Sequence, residues 1–196
     1  MNIDTILEYT PEHLGLAIIV ILCFFALKSL SIIIPLTILY LSCGILFPPF
    51  IALIVSTAGL WITITIPYLI GRIFGTHLVE YVKEKYPQTK KIDEYQKKNT
   101  YFACFITRII GIIPADVLSI YFGSCRVSYP VYAVAGVAGS LLSIITTTLL
   151  GMELDDPFSK EFMIVLSCRI LAVIVSVVLN HKVAKNNDGE GKEYGK

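Results

Sequence analysis

The sequence predicts an all-α polytopic membrane protein arranged as an inverted repeat, each half a re-entrant helical hairpin followed by a transmembrane helix, with additional flanking spans. Three observations predict it. Hydrophobic residues make up 55% of the 196-residue chain and the mean hydropathy is +0.72, which excludes an ordinary soluble globule. The apolar run at 102–123, FACFITRIIGIIPADVLSIYFG, has the length of a membrane span but carries Arg108 and Asp116 and is broken by Gly111 and Pro114. The same signature occurs earlier, since PLTILYLSCG at 35–44 and PADVLSIYFG at 114–123 both run from a proline to a glycine nine residues on. A cation precedes each proline, Lys28 before Pro35 and Arg108 before Pro114, and further prolines follow each glycine. Ten helical residues rise roughly 15 Å, about half of a ~30 Å hydrocarbon core, so each segment reads as the returning half of a hairpin. Two such short segments in corresponding halves mark a repeat-built transporter with its site at the repeat interface.

In chain order, residues 1–27 are a polar lead-in and a first transmembrane helix, beginning at Leu14 and stopped by Lys28, with continuation to Ile34 and Lys28 inside as the alternative. The core then covers 28–151. Its first re-entrant hairpin is 28–47, with the returning helix starting at Pro35 and stopping at Gly44. A full span follows at 50–71, containing Trp61 and Pro67, where a kink is expected. Gly71 and Gly75 have the spacing of a small-residue packing motif, and a helix terminus is the equal alternative. The cytoplasmic amphipathic segment 77–100 holds six lysines and breaks at Pro87, with an apolar face at Leu78, Val82, Ile92 and Tyr95. The second re-entrant hairpin, 102–123, has its returning helix start at Pro114 and stop at Gly123. A span at 129–151 begins with Ser128 as cap and Pro130 in the first turn. Ala135, Gly136, Gly139, Ser140 and Ser143 give that span a small-residue face. The last transmembrane helix is 162–180, and 181–196 is a disordered cytoplasmic tail.

Charge sets the topology. The lysine-rich middle and tail belong on the cytoplasmic side and the acidic loop at 153–161 outside. Both termini are then cytoplasmic, and the two hairpins enter from opposite faces.

The five cysteines are scattered without a C-x-x-C pair and read as buried structural thiols. There is no H-E-x-x-H, nucleophile elbow or phosphate loop. The expectation is therefore a protein that is not an enzyme, with no cofactor and no metal. A net charge of +1 gives no case for nucleic acid.

Several stretches resemble one family: Lys28-Ser29 with Pro35 and Gly44-Ile-Leu-Phe47, Tyr68-Leu-Ile-Gly71-Arg72-Ile-Phe-Gly75, and Thr107-Arg108 through Pro114-Ala-Asp116 to Gly123. Together they make 28–151 similar to the DedA family of bacterial membrane proteins and its relatives, the SNARE-associated Golgi (VTT-domain) proteins. The resemblance implies two re-entrant hairpins in an inverted-repeat transporter and an integral, multi-pass location in a bacterial plasma membrane. It also implies movement of phospholipid or polyprenyl-phosphate lipids between leaflets. Many DedA members place an acidic residue before the first hairpin proline and a second arginine after the position of Arg108. Lys28 and uncharged residues stand there instead, which looks more like the Golgi-type branch.

The function expected is lipid transport of a scramblase or flippase kind, with a proton- or ion-coupled exporter of small solutes as the alternative. Lys28, Pro35, Gly44, Arg108, Pro114, Asp116 and Gly123 are the substrate-path residues, and Tyr68, Gly71, Arg72 and Gly75 a structural motif. The half-helices starting at the two prolines would aim positive ends at a phosphate, with Lys28 and Arg108 adding charge. Asp116 reads either as a helix cap paired with Arg108 or as a gate or proton site. The partners expected are lipids with anionic headgroups, with a homo-oligomer left open.

Overall fold

Backbone groups in hydrocarbon must be satisfied within their own segment, and a chain this apolar answers by forming helices. In the computed structural model, which describes residues 11–31, 34–86, 89–111, 113–154, 159, 160, 162–168, 170, 171, 173, 174, 177 and 178, there are helices and no strands among the described residues. The named helices are α1 (Pro11–Leu30), α2 (Leu36–Leu46), α3 (Pro49–Phe74), α4 (Thr76–Lys85), α5 (Thr89–Lys98), α6 (Thr100–Ile110), α7 (Ala115–Ser124) and α8 (Tyr129–Met152). Two of these, α3 with 26 residues and α8 with 24, are long and apolar enough to cross a membrane. Both carry a proline in the first turn, Pro49 in α3 and Pro130 in α8, where no backbone donor is needed. Much of the outer surface is apolar, with Leu16, Phe24 and Leu27 of α1, Phe50 and Ile73 of α3 and Leu142 of α8 exposed. Such a surface suits lipid better than water.

The long helices run antiparallel. Ser56 and Thr148 share a 3.0 Å hydrogen bond at one end, and Tyr68 stacks on Tyr132 at the other, with ring centroids 4.9 Å apart. Each first arm packs on the long helix that follows it, α1 on α3 and α6 on α8. Each second arm crosses over instead, α2 onto α8 and α7 onto α3.

Glycines make the crossing possible. A Cβ added to Gly44 would meet the Thr148 carbonyl at 2.0 Å, and one added to Gly151 the Leu41 carbonyl at 2.3 Å. On the other side, a Cβ on Gly123 would meet the Tyr68 carbonyl at 2.1 Å, and one on Gly71 the Ile120 carbonyl at 2.1 Å. These are matching contacts, because Gly44 and Gly123 stand 79 residues apart, as do Leu41 and Ile120, while Gly71 and Gly151 stand 80 apart, as do Tyr68 and Thr148. The first arms repeat the pattern: Gly59 abuts Phe25, and Gly139 abuts Phe105, again at a separation of 80. Lys28 and Arg108 share that separation.

Several expected boundaries move. Lys28 does not stop the first helix; α1 runs on to Leu30 and buries Lys28 in its last turn. Gly44 and Gly123 are not helix stops, since α2 continues to Leu46 and α7 to Ser124. Neither glycine has a positive φ; what each needs is the missing Cβ. Gly71 has the same role, whereas Gly75, at φ 62° with open space around it, is the helix terminus. The first arm of the second hairpin begins at Thr100, two residues before 102, with the Asn99 side chain accepting from the Phe102 amide as a cap. Ser128 precedes α8 without a side-chain cap bond. Pro67 lies buried inside α3, which continues through it. The middle segment does divide around Pro87, into α4 and α5, with Val82 and Ile92 buried. Residues 162–168 of the last expected span are helical. Positions 1–10, Pro87, Arg169 and the tail 181–196 lie outside the described residues.

Candidate functional site

The two proline breaks and the two cations gather at the ends of α1, α2, α6 and α7. Lys28, in the last turn of α1, donates from Nζ to Asp116 Oδ2 at 2.5 Å, and both side chains are almost wholly buried. Asp116 is in the first turn of α7, where free backbone N–H groups favour negative charge. The partner expected from sequence, Arg108, is not the one found. The carboxylate makes no cap bond at the start of α7, and its Oδ1 is buried without a hydrogen-bond partner among the described residues. Because Asp116 is in the half that begins near residue 100 and Lys28 in the other, the pair ties the two halves together.

Arg108 is held differently. From the last turn of α6 its Nη2 donates to Ser119 Oγ at 2.9 Å and to Tyr132 Oη at 2.6 Å. Ser119 Oγ donates to the Ala115 carbonyl at 2.7 Å, and Tyr132 Oη donates to Ser119 Oγ at 2.6 Å. The guanidinium also lies 5.7 Å from the centre of the Tyr132 ring, a cation–π distance. Its Nε is buried without a partner among the described residues. All these partners are neutral. Among the described residues the ion pairs are Lys28 with Asp116 and Lys83 with Asp93, so no carboxylate compensates Arg108. A half-buried, uncompensated guanidinium beside an unsatisfied donor can accept an anion, and its planar fork suits phosphate.

Ser119 and Tyr132, the partners of Arg108, are residues that sequence reasoning missed. Ser119 sits five residues after Pro114, on the face that Arg108 reaches back to, and that spacing is the signal that could have found it. Tyr132, near the start of a span, reads like an ordinary interfacial anchor.

The remaining predicted residues make structural contacts. Pro35 and Pro114 are the residues before α2 and α7, extended in backbone, and they set where each returning helix starts. Tyr68 donates to the Val127 carbonyl and accepts from Arg72 Nη1 at 2.8 Å, which fixes the end of α3 on the turn before α8. Gly71 and Ser124 complete that contact, with Ser124 Oγ donating to the Gly71 carbonyl at 2.9 Å. Outside the spans, Asp93 of α5 accepts from Lys83 of α4 at 2.8 Å and from Tyr121 of α7. The carboxylate holds the Lys83 ammonium above its ordinary pKa. Among the described residues no group of histidine, cysteine and carboxylate side chains is placed to hold a metal ion.

Residues 34–153 match the family model described as the VTT domain. The chain is also 27% identical over 105 residues to the uncharacterized protein YqeD of Bacillus subtilis (strain 168), a match covering 47% of this chain and 48% of YqeD. It thus spans about half the length of the curated relative it matches. No solved structure matches.

Proposed function

The chain belongs to the VTT domain family of membrane proteins, and from that premise we propose that it moves lipids between leaflets by accepting the headgroup phosphate at Arg108. The observation that carries this reading is the guanidinium held by Ser119, Tyr132 and an aromatic face, with no carboxylate among the described residues to compensate it. A phosphate there would meet the fork of Arg108 and the N-terminus of α7, whose first-turn amides point toward an anion. Lys28, released from Asp116, would supply a second charge.

The matching glycine contacts at separations of 79 and 80 residues, the antiparallel long helices and the crossed second arms support an inverted repeat. On this reading α1–α2 and α6–α7 are the two re-entrant hairpins, entering from opposite faces, and the lysine-bearing α4–α5 lies in the cytoplasm. The orientation has its own check. A cysteine replacing exposed Glu94 should react with impermeant thiol reagent only when cells are opened, and one replacing Ser159 should react in intact cells. Labelling of Glu94→Cys in intact cells would overturn the inverted arrangement.

Transport is tested with the full chain in liposomes that carry a fluorescent phospholipid, followed by quenching of the outer leaflet. The expected result is quenching well beyond the outer half without any ion gradient, and loss of that excess in Arg108→Ala. Normal movement in Arg108→Ala would end the proposal. Movement of a soluble cargo alone, and only under an ion gradient, would favour the exporter.

A further inference from the structure

A second polar feature lies away from Arg108. An open cleft of about 510 Å³ is lined by Lys83 of α4, Asp93, Gln96 and Lys97 of α5, Thr100 of α6 and Cys125 after α7. We propose that this cleft binds a phosphate ester carrying a hydroxyl or ammonium donor, the chemistry of a phospholipid headgroup at the membrane surface.

Among the described lining residues Asp93 is the one carboxylate, and both its oxygens are engaged, one by Lys83 and the other by the Tyr121 hydroxyl. Lys83 gives one of its three donors to that contact and has a side chain 42% exposed, so its other donors remain for a ligand. Lys97 is exposed and adds a full positive charge. The lining therefore carries two ammonium groups against one satisfied carboxylate, which favours an anion.

Gln96 narrows the class of anion. Its side-chain Oε1 is buried and has no donor among the described residues, an unfavourable arrangement unless a ligand supplies one. A bare phosphate brings mainly acceptors. A phosphoethanolamine or phosphoglycerol group brings its phosphate to the lysines and its ammonium or hydroxyl to Gln96. The position points to lipid as the source, because Thr100 is followed directly by Tyr101 and Phe102, both exposed, and exposed aromatics of this kind sit at the membrane–water boundary. The inference deepens the lipid reading above and places a headgroup where a lipid would first be captured.

The test uses the full chain in dodecyl maltoside and the phosphorus NMR line widths of water-soluble probes. sn-Glycero-3-phosphoethanolamine should broaden with the native chain and still broaden with Arg108→Ala, whereas Lys97→Gln and Gln96→Leu should each weaken binding roughly tenfold. Dimethyl phosphate, an anionic diester with no proton to donate, should broaden less. Inorganic phosphate broadening as strongly as the ethanolamine ester would assign the cleft to free phosphate and overturn the lipid source. No broadening, or broadening unchanged in both Lys97→Gln and Gln96→Leu, would overturn the site. If broadening persists while the liposome assay shows no lipid movement, the cleft stands and the transport reading falls.

Discussion

Gly44→Ala, Gly71→Ala, Gly123→Ala and Gly151→Ala should each lower the thermal stability of the protein in detergent, while Gly15→Ala should leave it unchanged or raise it. In an exposed helix, glycine to alanine is favourable by roughly 0.8–1 kcal/mol. Gly15 is such a case, since a Cβ there meets nothing within 4 Å. At the other four positions the new methyl would stand between 2.0 and 2.3 Å from a carbonyl oxygen of the opposing helix. A flexible side chain could turn away, but backbone cannot, so a whole helix has to shift. Overpacking of this kind costs about 1–3 kcal/mol, enough to reverse the gain from propensity. The contacts are also paired, so Gly44→Ala and Gly151→Ala act on the same α2–α8 approach and their effects should not add. Gly44→Ala and Gly123→Ala act on separate approaches and should add. Melting of each variant by fluorescence-detected size exclusion decides the matter, and stability raised at all five glycines would show that the helices are not in backbone contact.

The prolines were legible because each acts locally. Pro35 and Pro114 fix their own φ and remove one donor, so a helix start can be read from neighbouring residues alone. The recurrence of cation, proline and glycine then exposed two corresponding halves. The roles of Gly44 and Gly123 were misread because a glycine after a short helix has two uses, a left-handed stop or a close approach, and the sequence does not distinguish them. The deciding fact was the carbonyl of a helix about a hundred residues away for Gly44, and about fifty-five away for Gly123. The crossing of α2 and α7 onto the opposite long helices was hidden for a related reason. These segments are apolar on all sides, so no polar stripe reveals which face meets a neighbour. Arg108 was found through its charge, but its neutral partners Ser119 and Tyr132 were not, because a hydroxyl in an apolar helix has many ordinary explanations.

Lys28→Ala should be the most damaging single change to the charged centre. The sequence suggested that Asp116, two residues after Pro114, would pair within its own hairpin with Arg108, six residues before that proline; the structure pairs it with Lys28, 88 residues away. Removing the lysine strands a carboxylate that is 8% exposed, with one oxygen already lacking a partner. Breaking a buried pair in this way costs about 3–5 kcal/mol, more than the pair itself contributes when both members are replaced. Asp116→Asn should be milder, because it keeps the shape and an acceptor for Lys28. The double variant Lys28→Met with Asp116→Leu removes both charges together and should recover most of the stability lost in Lys28→Ala. If Lys28 also meets the headgroup phosphate, that folded double variant will still fail to move lipid between leaflets. Thermal melting and the liposome assay on the same preparations separate the two roles: full stability with normal lipid movement in the double variant would leave the pair as a tie between the halves and nothing more.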